Sequence, residues 1–162
     1  MSLPKRASYG CSFDRTLHDP VLSMPDWLEE IDHTADLGYR VTAPAETLLF
    51  ERAATGLMLL LTVVSAVEPV EKRTVSVTAS DRTALMRTWL AELNFLHIHE
   101  RVLFSTFEVT SLTETALRAT VGGEAFDPER HDLHTEIKAV TYHGLDVRQH
   151  DGRWEAQVIV DM

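Results

Sequence analysis

The sequence predicts an α+β fold: a single domain with a mainly antiparallel β-sheet and two α-helices packed on one face. Three observations carry this. Apolar residues recur at helical spacing in two stretches, Leu49/Ala53/Leu57/Leu60 and Leu85/Trp89/Leu93/Leu96. Alternating, β-branched runs flank both stretches and dominate the second half of the chain. Asp151-Gly152 between two such runs is a strong two-residue hairpin signal. The order is strands, helix, strand, helix, then several strands, with no internal repeat, which is an α+β order.

Residues 1–27 read as an N-terminal arm, with three prolines (Pro4, Pro20, Pro25), charge of both signs and no sustained period. The domain proper is expected over 28–162. Residues 27–31 are weakly strand-like, and 39–42 alternate as a strand. Pro44 suits the first turn of a helix, and Glu46 is favourably placed near its positive end. That helix is apolar over a wide arc, so it is expected to be buried, ending before Glu68-Pro69. Residues 74–78 form the next strand, and Ser80 or Asp81 can cap the second helix, whose pattern fades near Glu100.

Residues 103–110 and 115–121 read as two strands joined by a turn at 111–114. Gly122-Gly123 marks a bulge or a close backbone approach. A polar loop follows from Asp127-Pro128 to about Thr135. Residues 137–149 read as one long strand interrupted at Gly144, and 154–160 as the last strand. A two-residue turn at Asp151-Gly152 pairs His150 with Arg153, Arg148 with Glu155, Val147 with Ala156, Leu145 with Val158 and His143 with Val160. This register turns His143 to the core, sets Tyr142 beside Asp161, and leaves Lys138 about 13 Å further along the strand. Contact between Lys138 and Asp161 then requires a bend or bulge.

Bulk properties narrow the function. The 162 residues are 44% hydrophobic, enough for a real core. No apolar run reaches membrane-spanning length and the start lacks a signal-peptide core, so a cytoplasmic protein with no membrane partner is expected. The single cysteine, Cys11, rules out an internal disulfide and a cysteine-based zinc site. A net charge of −10 without a basic cluster argues against direct nucleic-acid binding. It suits docking on a basic protein or binding of a divalent cation, and equally simple solubility.

The polar groups concentrate in Asp32-His33-Thr34-Ala35-Asp36, just before a strand. Asp161 follows the rigid run Val158-Ile159-Val160, and the carboxylate of Met162 adds a second charge beside it. Anions at one strand end repel unless a cation neutralises them, and hard cations take oxygen ligands. The residues alone do not place Asp36 near that end, and leave open a cap or turn role for Asp36 and a solvated Asp161. Lys138 fits either an edge-strand solubiliser or a cation for phosphate or a partner's carboxylate. His33 could shuttle a proton or satisfy backbone groups. His97 and His99, two apart on a helix, make a poor metal pair at what reads as a frayed end. No nucleophile elbow or phosphate loop is present, so nothing reads as a self-sufficient enzyme.

Taken together, these stretches carry a resemblance. Asp32-His33-Thr34-Ala35-Asp36, Leu49-Phe50-Glu51-Arg52-Ala53-Ala54, Gly123-Glu124, Ile137-Lys138-Ala139-Val140-Thr141-Tyr142-His143, Asp151-Gly152-Arg153-Trp154 and Asp161-Met162 occur in the order seen in the archease family. The chain resembles that family from about Leu28 to Met162. The resemblance implies an accessory protein of an RtcB-type RNA ligase, which joins RNA ends in tRNA splicing and repair using GTP and divalent metal. The accessory protein promotes guanylylation of the ligase and its repeated turnover. It implies a metal site at Asp36, Asp161 and Met162, with Ca²⁺ first and Mg²⁺ or Mn²⁺ as alternatives, and a functional lysine at Lys138. Two other readings stay open: a chaperone-like module for an RNA-modifying methyltransferase, and a metal-dependent hydrolase acting alone.

Overall fold

A computed structural model describes residues 24–32 and 36–162. Cys11, most of the N-terminal arm and His33–Ala35 lie outside the described residues. The elements are β1 (Leu28–Asp32), β2 (Leu37–Ala43), α1 (Glu46–Leu61), β3 (Glu71–Thr78), α2 (Arg82–Glu100), β4 (Val102–Leu112), β5 (Ala116–Ala125), β6 (Ala139–Val140), β7 (Asp146–His150) and β8 (Arg153–Asp161). A short 3₁₀ turn, Val64–Ala66, follows α1. The two helices and the antiparallel pairing are as predicted. The strands, however, divide into two sheets: β1-β2-β8-β6 with β7 also on β8, and β3-β5-β4. Both helices pack against strands of both sheets.

The helices form where the apolar stripes predict. Leu49, Phe50, Ala53, Ala54, Leu57, Met58, Leu60 and Leu61 of α1 are buried, as are Leu85, Met86, Trp89, Leu90, Leu93 and Leu96 of α2. Two large polar side chains that enter this core find partners there. Trp89 Nε1 donates to the Phe50 carbonyl (3.0 Å), and the Tyr39 hydroxyl donates to the Ala53 carbonyl (2.7 Å). Burial pushes the Tyr39 phenol far above its ordinary value, so it stays a neutral donor. Gly56 faces that ring: a Cβ there would stand 2.5 Å from Tyr39 Cε2.

Boundaries shift in physically readable ways. Pro44 lies before the N-cap Ala45 rather than in the first turn, while Glu46 is in that turn, where it meets the Arg82 guanidinium. α1 stops at Leu61, before Glu68-Pro69 as expected, where Thr62 turns extended and its hydroxyl donates to the Asp132 carbonyl (2.7 Å). Of the two candidate caps, Asp81 is the one used, accepting from the Ala84 amide (2.8 Å). The end of α2 is not frayed. His97 Nδ1 bonds the Val102 carbonyl and His99 Nδ1 the Phe95 carbonyl, both at 3.0 Å, with His99 stacked on Phe95.

Gly122-Gly123 is a close approach opposite a register shift on β4, between Phe104 and Thr106. A Cβ at Gly123 would overlap the Leu103 carbonyl. The hairpin at Asp151-Gly152 forms with both residues at positive φ (50° and 73°) and gives the predicted pairs from His150↔Arg153 to Val147↔Ala156.

Candidate functional site

The site is built on the end of β8. β2 lies on one side, pairing Leu37 with Val160. β6 lies on the other, pairing Ala139 with Asp161 and Val140 with Val160. One step outward on the first ladder, Asp36 comes opposite Asp161. One step outward on the second, the Lys138 amide still bonds the Asp161 carbonyl (2.8 Å), next to Met162. Residues separated by most of the chain therefore converge on one sheet end. Directly opposed residues share a sheet face with Cβ atoms about 4.5–5.5 Å apart. Asp36 is half-buried, whereas Lys138, Asp161 and Met162 are exposed. No helix follows Asp36 closely enough for it to act as an N-cap, since α1 begins at Glu46.

Gly38 lets β2 approach this closely. A Cβ there would stand 2.5 Å from Ile159 Cδ1 and 2.9 Å from the Val158 carbonyl oxygen. The glycine that ends the Asp32–Gly38 stretch thus fits against β8 two residues from Asp36.

Lys138 reaches the strand end by a departure from the predicted register. Continuing the hairpin count would pair His143 with Val160, but Val140 occupies that position. Three residues are taken up as a bulge between β6 and β7, where Leu145 N donates to the Tyr142 carbonyl and Gly144 adopts φ +68°. Thr141 Oγ1 bonds the Ile159 carbonyl (3.1 Å), and Gln157 Nε2 donates to the Gly144 carbonyl (2.9 Å). The slip overturns three expectations: His143 is exposed instead of facing the core, Ala139 instead of Tyr142 lies beside Asp161, and Leu145, outside β7, does not pair with Val158. It also closes the 13 Å gap, because the Lys138 amide donates to the Asp161 carbonyl at 2.8 Å.

The donor chemistry at this end is hard. Two carboxylates and the main-chain oxygens of the last residues are oxygen ligands of the kind that Ca²⁺, Mg²⁺ and Mn²⁺ take. The Met162 thioether accepts from Thr135 Oγ1 (3.2 Å), which gives the sulfur a protein partner of its own. Among the described residues no three His, Cys, Asp or Glu side chains form a metal-holding group. A cation at Asp36 and Asp161 would therefore draw on main-chain oxygens as well. That donor set fits a hard divalent ion.

A second polar cluster escaped the sequence reading. Glu124, nearly buried at the end of β5, accepts from both terminal nitrogens of Arg130 (2.7 and 2.9 Å), the Glu68 amide (3.0 Å) and His131 Nε2 (2.7 Å). The Arg130 bonds, followed by the Glu68 amide, hold the carboxyl down to about 2 against the opposing effect of burial. His131 is fully buried, and its Nδ1 accepts from the Asp127 amide (3.0 Å), which leaves the proton on Nε2. The cluster ties the 127–135 loop to β5. That loop is held again where His134 N donates to the Leu61 carbonyl (2.8 Å), just before it enters the Lys138 segment. No periodicity links positions 124 and 131, so only the three-dimensional fold reveals the pair.

Fold and site together define a small α+β protein that presents carboxylates, main-chain oxygens and a lysine at one sheet end. The comparisons with known proteins agree. Residues 28–162 match the model of the Archease protein family (MTH1598/TM1083). The Protein archease of Methanopyrus kandleri is 43% identical over 137 residues, covering 83% of this chain and 98% of that protein. That of Thermococcus kodakarensis is 38% identical over 143 residues, covering 86% and 100%. The solution structure of Methanobacterium thermoautotrophicum protein 1598 superposes with a TM-score of 0.74 at 37% identity, covering 84% of this chain and 99% of that one. The crystal structure of a Thermotoga maritima archease, described as a possible chaperone, shares the fold with a TM-score of 0.55 at 19% identity, over 83% and 96% of the two chains. The chain belongs to the archease family.

Proposed function

We propose that this protein is a non-enzymatic activator of an RtcB-type RNA ligase, promoting guanylylation and multiple turnover of that enzyme in tRNA splicing and RNA repair. The observation that carries the reading is the convergence of Asp36, Asp161, Met162 and Lys138 on one sheet end. In this reading Asp36, Asp161 and a main-chain or terminal oxygen of Met162 hold a divalent ion, Ca²⁺ first and Mg²⁺ or Mn²⁺ as alternatives. The ion supplies positive charge to an otherwise self-repelling group of anions. Lys138, exposed at the same sheet end, meets a phosphate of the nucleotide or a carboxylate of the ligase.

The net charge of −10 supports approach to a basic, RNA-holding partner rather than to RNA itself. Among the described residues no helix is long and apolar enough to cross a membrane. A cytoplasmic site of action accords with the reading. The test is a multiple-turnover ligation assay of the cognate ligase with and without this protein. Stimulation that is lost in Asp36→Ala and in Lys138→Ala supports the proposal, and stimulation retained in both overturns it. The Thermotoga relative's description as a possible chaperone motivates a second reading, a binding module for an RNA-modifying methyltransferase. Co-purification with such an enzyme and not with a ligase would favour it.

A further inference from the structure

We propose that Arg87 and Asn94 of α2 are positioning residues that clamp the edge segment carrying Lys138 and thereby hold the lysine at the strand end; this rests on the role given to Lys138 above. Asn94 Nδ2 donates to the Ile137 carbonyl (2.9 Å), immediately before Lys138. Arg87 Nε donates to the Val140 carbonyl (3.1 Å), two residues after it. The Arg87 guanidinium also lies 4.6 Å from the centroid of the Tyr142 ring, on the bulge itself.

The spacings match. Seven residues along α2 advance about 10.5 Å on one helix face. Three extended steps from Ile137 to Val140 advance about 10 Å. The helix thus grips both ends of a four-residue segment, running in the opposite sense to it, with the fully buried Leu90 between the two grips. Asn94 is itself only 4% exposed; its Nδ2 makes this contact, while its Oδ1 has no partner among the described residues.

The grip answers a specific need. β6 is two residues long and sits at the edge of its sheet, and the bulge that follows departs from the simple hairpin register. An uninterrupted β7–β8 ladder would carry Lys138 some 13 Å beyond Tyr142, past the end of β8. The two bonds from α2 belong to the slipped register. Loosening them frees the segment to move while the β2–β8 ladder, and with it Asp36 and Asp161, stays in place.

The test uses the full-length protein and its cognate ligase. Amide hydrogen exchange is followed at Lys138 and Thr141, which bond Asp161 and Ile159, with Val41 and Leu57 as core controls. Arg87→Ala is expected to speed exchange at Lys138 and Thr141 at least tenfold with the controls unchanged, and Arg87→Lys to recover part of the protection. Ligase stimulation by Arg87→Ala is expected to fall to the level of Lys138→Ala, with the double variant no worse than Lys138→Ala alone. Unchanged exchange in Arg87→Ala overturns the clamp. So does accelerated exchange with wild-type stimulation, provided Lys138→Ala abolishes stimulation. If Lys138→Ala alone leaves stimulation intact, the failure lies in the role assigned to the lysine, identified by an arm in which α2 is untouched, and the positioning role falls with it.

Discussion

The main-chain amide of Lys138 donates to the main-chain carbonyl of Asp161 at 2.8 Å, joining two positions that a regular hairpin would keep apart. One residue supplies an exposed cation and the other a carboxylate at the same sheet end.

Divalent-ion binding should stabilise the protein through Asp36 and Asp161. At an ion concentration of 100 times Kd, linkage gives about 2.7 kcal/mol of added stability. Asp36→Asn is expected to weaken binding at least about tenfold, since even changes outside the ligand shell cost 10–100-fold. Ion-free stability should stay near wild type, because one of two neighbouring anions is neutralised. Calorimetric titration and thermal melts with and without Ca²⁺ check both statements. An unchanged ion affinity would remove Asp36 from the ligand set.

Lys138→Ala should separate function from folding. The side chain is exposed, so the stability change is expected within about 0.5 kcal/mol. Ligase turnover should nevertheless lose its stimulation. Urea unfolding alongside the ligation assay gives the comparison.

Gly38 should tolerate no larger side chain. Gly38→Val places carbon against Ile159 and the Val158 carbonyl, at a cost of about 1–3 kcal/mol or more. The damage should concentrate at the β2–β8 junction, seen as loss of amide protection at Gly38 and Val160. Tyr39→Phe, which removes one buried hydrogen bond to the Ala53 carbonyl, is expected to cost about 1 kcal/mol without altering the site.

Acid stability should report on Glu124. Its folded pKa, about 2, lies below the ordinary 4.5. A depressed carboxyl binds fewer protons folded than unfolded between those values, so its contribution is present above about pH 4.5 and is lost as pH falls towards 2. Glu124→Gln should flatten this part of the stability curve and be less stable than wild type at neutral pH. Denaturant midpoints measured from pH 7 to pH 2 decide it. Parallel curves for the two proteins would mean that other carboxyls carry the acid transition.

Much of the fold could be read from periodicity. The buried stripes of α1 and α2 follow from apolar spacing alone, and Asp151-Gly152 dictates a turn whose first three counted pairs form, His150 with Arg153, Arg148 with Glu155 and Val147 with Ala156. Legibility ended where local rules stop at the bulge. Gly144 signals an interruption, but not that three residues leave the ladder, because the partners that hold the slipped segment are distant: Arg87 and Asn94 on α2 and Gln157 on β8. His143 was misplaced for that reason, whereas the buried imidazole of the loop is His131, paired with Glu124. Asp36, Asp161, Met162 and Lys138 stand out as polar groups in the sequence, the resemblance implies their roles, and strand register gives their common location. Alternation showed which residues form strands but not which strands are neighbours, so the division into two sheets was illegible.

The last strand in sequence is the middle strand in space: β8 lies between β2 on one side and β6 and β7 on the other. Leu37 and Val160 meet across about 120 residues of chain (37 to 160). A polypeptide emerging from its N-terminus must therefore hold the β1–β2 hairpin without its neighbour until almost everything else exists. Pairings of such separation are slow to form and leave an open edge meanwhile. Truncation before Arg153 would strand that edge permanently, and nascent chains of this kind are natural clients for whatever protects unfinished sheets in the cell.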